Sequence, residues 1–169
     1  MVELTIRTIE KSDLDKIDGT FKSEFASTHA DDLHDQSLSR ISFFIAWLNG
    51  NPVGHALVRW LGPREEQVRK DYPNCPEIYR LKVLEKFREQ GIATAIIKRC
   101  EKEACKRERR FIGLGTDPNI SSKDNLYIQS GYETSTVNSY IDTYKIKLDD
   151  GTVVTIRKEA QFLIKRIGG

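Results

Sequence analysis

Residues 80–100 read RLKVLEKFREQGIATAIIKRC, and the joint inside this stretch decides the fold. An apolar, strand-like run breaks into charges, meets Gly91, and turns at once into a helical pattern with Ile92, Ala95, Ile96, Cys100 and Ala104 on one stripe. A helix that begins at a glycine leaves its first amide hydrogens unpaired at the positive end of its dipole. Such amides can cradle a phosphate or diphosphate. Gly91 permits an unusual backbone angle and a close approach, Ala93 is small for the same reason, and Arg88 adds positive charge. The same residues also read as plain turn punctuation between a strand and a helix. Physics alone leaves both readings open.

Two other phosphate motifs are excluded. There is no GK[ST], hence no P-loop. GLGTDP at 113–118 begins like a dinucleotide fingerprint, but Pro118 replaces the third glycine, and the first strand leads into no glycine-rich turn. Gly113 and Gly115 read instead as backbone-packing residues of a buried strand.

Working outward from the joint, Val2–Ile9 alternates as a first strand with Val2, Leu4 and Ile6 on one side. Ser12 is the expected N-cap, with Asp15 as its partner, of a helix carrying Leu14, Ile17, Phe21 and Phe25. The polar segment 27–40 is expected to be a loop or short helix. Its Asp31, Asp32 and Asp35 suggest an acidic wall that favours a cationic amine, and His29 and His34 read as exposed loop residues. ISFFIAWL (41–48) and PVGHALVRWL (52–61) form a hairpin around NGNP. A charged, proline-bounded excursion (62–76) precedes the strand EIYRLKVL (77–84). RFIGLGT (110–116) is a short buried strand. Ser121 or Ser122 is the expected cap of a helix ending near Ser130, with Gly131 at its left-handed terminus. The remainder, with DDG as its turn, reads as one long hairpin. This order predicts a single α/β domain over 1–169, with one mixed sheet flanked by helices.

Composition sets the class. The 169 residues are 38% hydrophobic and 31% charged, which suits a packed domain and not a disordered chain. No apolar run reaches the roughly 18 residues that span a bilayer, so no membrane association is expected. MVELTIRTIEKSD lacks the apolar core of a secretory signal, so a cytoplasmic setting is expected. A net charge of +2 does not call for nucleic acid. The basic run KRCEKEACKRERR (98–110) carries interspersed glutamates and reads as a solvated helix face. Cys75, Cys100 and Cys105 lack CxxC spacing, and the histidines lie far from them in sequence, so no metal site is expected.

Arg88-Glu89-Gln90-Gly91-Ile92-Ala93, the preceding EIYRLKVL and the later LYIQSGYE (126–133) together resemble the GNAT superfamily of N-acetyltransferases. The likeness covers nearly the whole chain and is strongest from 77 to 133. GHALVRWLGP and PNCPEIY are similar to one prokaryotic subgroup. The resemblance implies a mostly antiparallel sheet of six to seven strands, splayed between strands 4 and 5, with acetyl-CoA as cosubstrate and no metal. It implies that Leu81, Lys82 and Val83 offer backbone groups to the pantetheine arm, and that Arg88, Glu89, Gln90, Gly91, Ile92, Ala93 and Thr94 surround the pyrophosphate. Glu77 stands where histone-acetylating members carry their general base, eleven residues before Arg88. An amine must lose a proton to attack, which a carboxylate at the head of an apolar strand can take. Tyr127 matches the tyrosine that touches the cofactor and serves the thiolate, and the Val83 amide is the candidate donor to the oxyanion. The family's asparagine and alanine positions hold Ile120 and Lys123 here, with Asn119 one residue off, so those two contacts do not carry over.

The implied activity is acetyl transfer to a primary amine, by direct attack in a ternary complex, on a small-molecule or peptide acceptor. A non-catalytic acyl-CoA-binding module is the competing expectation, and a dinucleotide-binding redox domain the remote one. The extended C-terminal hairpin offers an edge to a second copy, which leaves a homodimer open.

Overall fold

The computed structural model describes residues 3–23 and 25–168. Its strands are β1 (Leu4–Thr8), β2 (Ile41–Leu48), β3 (Asn51–Arg59), β4 (Glu77–Val83), β5 (Phe111–Thr116), β6 (Glu133–Thr134), β7 (Tyr140–Lys147) and β8 (Val153–Arg166). Its helices are α1 (Leu14–Thr20), α2 (His29–Ser37), α3 (Glu66–Asp71), α4 (Ile92–Lys106) and α5 (Leu126–Gln129). The sheet runs β1-β2-β3-β4-β5-β8-β6, and β7 pairs with the outer part of β8. Every pairing is antiparallel except β4 with β5. This is the mixed, mostly antiparallel sheet that the sequence predicts.

β2 and β3 are buried almost end to end because helices cover both faces. Alternation along β2 sorts the side chains. Phe43, Ile45 and Trp47 pack with Ile17 and Phe21 of the α1 side, while Phe44 and Ala46 pack with Ile92, Ile96, Ile97 and Cys100 of α4. The buried stripe of α4 is the one its sequence periodicity marks.

The parallel pair carries the architecture of the site. β4 and β5 are in register only at Glu77 and Gly113, where the Gly113 amide donates to Pro76 at 2.9 Å. Beyond that point the two strands separate. β4 also carries a bulge opposite His55–Leu57, where Arg80 adopts φ +52°.

Several local expectations are corrected. The chain enters α1 through a 3-10 turn whose capping box joins Glu10 and Asp13, so neither Ser12 nor Asp15 caps it. Asp13 is drawn there because Arg7 binds both its oxygens at 2.7 and 2.9 Å. Phe25 lies beyond α1 and bridges to Ile146 of β7. Val2 of the expected first strand lies outside the described residues. α5 is shorter than expected and is capped by buried Asn125, whose Oδ1 accepts from Tyr127 and Ile128 at 2.9 and 3.2 Å. Gly131 does take the left-handed angle, φ +93°.

The segment 27–40 is mainly α2, with Thr28 and Asp31 as a reciprocal capping box. Its acids are not a free wall. Asp31 is spent on the cap, Asp32 pairs with Arg80 at 2.6 Å, and Asp35 pairs with Arg40 at 3.2 Å. His29 is buried rather than exposed, with Nδ1 2.7 Å from Asp18 and its ring edge-on to Phe43. No helix of the described residues is long and apolar enough to cross a membrane.

Candidate active site

Gly91 holds φ +80°, the left-handed region, and a Cβ there would meet nothing within 4 Å. Its freedom is used for the angle, which turns the chain directly from the β4 loop into α4. Ala95 is the first residue of α4 to donate within the helix, to Gly91 at 3.0 Å. The amides of Ile92, Ala93 and Thr94 are therefore unclaimed by the helix and project from its N-terminus. Glu89 is also left-handed, φ +62°, so residues 89–91 fold as a tight concave turn above that end. Arg88 does not stand free. Its Nε donates to the Val83 carbonyl at 3.1 Å, tying the turn to the end of β4. Gln90 sits exposed, with Nε2 3.5 Å from the Lys86 carbonyl.

The edge of β4 completes this half of the site. The Leu84 amide donates to Val53 of β3 at 2.9 Å. Backbone groups alternate along a strand, so Lys82 and Leu84 address β3, while Leu81 and Val83 address the gap toward β5. A splayed strand whose Leu81 groups and Val83 amide face the gap, ending on a helix whose first amides are free, fits an elongated ligand with amide links and a diphosphate. Those are the features of a coenzyme A thioester.

The other half is a cavity of about 580 Å³ on the far side of the splay. Glu77 and Tyr127, fifty residues apart in sequence, both line it. Glu77 opens β4, is 12% exposed, and accepts from Arg59 Nη1 at 2.9 Å. Burial pushes its carboxyl up to about 7, Arg59 pulls it back, and Asp142 adds to the rise. Arg59 lies directly across β3 from Glu77, and its guanidinium covers the Tyr79 ring at 4.1 Å. Tyr127 is fixed by the Asn125 cap and by an edge-to-face contact with Tyr132. Burial pushes its phenol up to about 12, so it is a proton donor at neutral pH.

The sequence does not flag Arg59, Tyr79, Tyr140 and Asp142 as site residues, and they come together here. Arg59 becomes visible only once the β3–β4 register is known, and Tyr140 and Asp142 arrive on β7 from the end of the chain. An alternating Y-x-D-x-Y at 140–144, on a strand expected to face the sheet, is the one signal that marks them. Cys75 is excluded as a nucleophile, since burial pushes its thiol up to about 12. Asn119 and Lys123 stay exposed, away from the cavity lining. Two of the three glutamates of the basic run are engaged: Glu103 with Arg99 and Arg107, Glu101 with Lys165.

A family model described as the acetyltransferase (GNAT) family matches residues 8–132. A search of curated proteins finds no match. Among solved structures, the ribosomal-protein-S18-alanine N-acetyltransferase of Escherichia coli is 17% identical with a TM-score of 0.64, over 99% of this chain and 96% of that one. An N-acetyltransferase of Staphylococcus aureus Mu50 is 17% identical with a TM-score of 0.65, over 98% and 99%. A GNAT family acetyltransferase of Elizabethkingia anophelis, with acetyl-CoA bound, is 18% identical with a TM-score of 0.55, over 98% and 97%. At these identities the structural likeness is one of fold. The family model spans most of the chain, and with it the protein belongs to the GNAT family of acetyltransferases.

Proposed function

We propose that the protein is an N-acetyltransferase, with residues 1–169 as one catalytic domain, that moves an acetyl group from acetyl-CoA to a primary amine in a ternary complex. The observation that carries this reading is the meeting of Glu77 and Tyr127 in one cavity beside the open edge of β4. The acceptor is a small molecule or a peptide, and the setting is cytoplasmic. The free amides of Ile92, Ala93 and Thr94, within the turn of Arg88, Glu89, Gln90 and Gly91, hold the pyrophosphate. Leu81 holds a pantetheine amide from the splayed edge, Val83 offers its amide to the thioester, and Lys82 keeps that edge in register with β3. When bound, acetyl-CoA supplies a thioester carbonyl and a thiolate leaving group.

Glu77 takes the extra proton of the incoming ammonium and passes it to solvent. A carboxyl near 7 is half ionised at neutral pH and well matched to that task. The Val83 amide, pointing into the gap, donates to the carbonyl oxygen as negative charge develops there. Tyr127 protonates the sulfur and recovers the proton that the amine nitrogen sheds. One N–C bond forms, one C–S bond breaks, and one proton leaves by way of Glu77.

The test is thiol release from acetyl-CoA in the presence of an amine panel: lysine, 1,4-diaminobutane and an alanine-initiated hexapeptide. Wild type is expected to release thiol with at least one of them, and Glu77→Gln to lose most of that rate while still binding coenzyme A. Binding without any amine-dependent thiol release would mark a non-catalytic module.

A further inference from the structure

Gly113 and Gly115 are not dinucleotide-binding glycines, and what they make room for differs. A Cβ on Gly113 would run into the Phe162 ring at 2.3 Å, which is core packing. A Cβ on Gly115 would lie 2.3 Å from the hydroxyl of Tyr140, with the next ring atom at 3.5 Å. The missing side chain at 115 thus accommodates one atom, a phenolic oxygen. Tyr140 stands at the start of β7, opposite Ala160, and its hydroxyl rests against β5 two residues beyond the last contact of β5 with β4. Gly115, Tyr140, Glu77 and Tyr127 all line the same cavity.

That hydroxyl makes no hydrogen bond among the described residues. Burial first, and then the carboxylates of Glu77, Asp142 and Glu65, push its phenol far above the usual tyrosine range. It therefore stays protonated and neutral, a hydrogen-bond acceptor on a cavity whose lining carries the carboxylates of Glu65, Glu77 and Asp142 together with Arg59, Arg64, Arg80 and Lys145. Core tyrosines find a partner for the hydroxyl, and this one has a cavity in that place.

We propose that Tyr140 is a catalytic residue that grips the acceptor amine, its oxygen accepting one N–H so that the nitrogen is held beside Glu77 and faces the splay. Gly115 is a positioning residue that makes this placement of the hydroxyl possible. This inference rests on the acetyltransferase reading above and adds to it the group that orients the nucleophile.

The experiment uses the full chain, acetyl-CoA, and the panel amine that wild type acetylates fastest. Tyr140→Phe is expected to lower kcat/KM for the amine by about 10- to 100-fold, the size of one hydrogen bond to a charged group, while KM for acetyl-CoA and the melting temperature hold. Gly115→Ala displaces the same hydroxyl and is expected to lose a similar factor. In the Tyr140→Phe background Gly115→Ala is expected to cost less than about twofold more, because only the ordinary 3.5 Å contact then remains. Wild-type kcat/KM in Tyr140→Phe would overturn the inference and leave the acetyltransferase reading standing. So would losses that multiply in the double variant, or an equal fall in amine and acetyl-CoA parameters with a lowered melting temperature. A wild-type protein that acetylates no panel amine would overturn both.

Discussion

If Glu77 is the base proposed above, Arg59 sets the pH at which it works, and replacing Arg59 measures that coupling directly. Arg59 Nη1 lies 2.9 Å from Glu77 Oε1, with 20% and 12% of the two side chains exposed. Burial has raised the carboxyl from 4.5 to about 7, against the opposing pull of this guanidinium. An adjacent cation lowers a carboxyl by about one to three pH units. Arg59→Met is therefore expected to move Glu77 from about 7 into a range of roughly 8–10. In the proposed mechanism the ionised carboxylate is the working form, so activity is expected to fall as pH drops through the carboxyl's value, and the acid limb to follow that value upward. For a shift of about two units, the ionised fraction at pH 7.5 drops from roughly three quarters to about 3%. The assay is kcat/KM for the amine from pH 5.5 to 10 at saturating acetyl-CoA. Arg59→Lys keeps a cation and is expected to fall between the two. A limb fixed near 7 in Arg59→Met, with only the plateau rescaled, would refute the coupling. The same limb persisting in Glu77→Gln would remove Glu77 as its source.

Tyr127→Phe is expected to lower kcat about tenfold or more with coenzyme A affinity unchanged, read by steady-state kinetics beside calorimetry. Gly91→Ala is expected to cost about 1–2 kcal/mol of stability through its φ of +80° alone, since its Cβ meets no neighbour, and to weaken coenzyme A binding by misdirecting the first amides of α4. Urea unfolding and calorimetry separate the two effects. Asp32→Ala strands the half-buried Arg80 guanidinium and is expected to cost about 3–5 kcal/mol by urea unfolding.

The parts of the site that the sequence reveals are those built from consecutive residues. A glycine between a strand and an amphipathic stripe specifies the β4–α4 joint locally, so Gly91 and the free amides behind it follow from periodicity alone. Cross-strand partners leave no such trace. Arg59 faces Glu77 because β3 and β4 align at one register among several, and a bulge at Arg80 alters that register midway. The acids of 27–40 mislead for a related reason. A run of aspartates reads as exposed surface, yet Asp32 is buried by Arg80, which lies 48 residues away. Caps fail on a smaller scale. Ser121, Ser122 and Asn125 are all good N-cap types, and the choice among them falls to the one whose burial lets it also reach Thr116, with Asn125 Nδ2 at 3.4 Å. Tyr140 and Asp142 lie beyond the stretch where the family likeness is strongest and become neighbours of Glu77 only after β8 crosses to β5.

The bridge between Phe25 and Ile146, with the Ala26 amide donating to Lys145 at 3.1 Å, joins segments about 120 residues apart. The β4–α4 joint, by contrast, lies within residues 77–106. The β7 side of the cavity is thus closed by the contact of longest loop closure along its lining, whereas the β4–α4 joint needs none of that length. Substitutions in β7 or around residue 25 therefore fall on the entropically costly part of the molecule. On the proposed reading they are expected to alter amine selectivity more than coenzyme A affinity, as read by kinetics beside calorimetry.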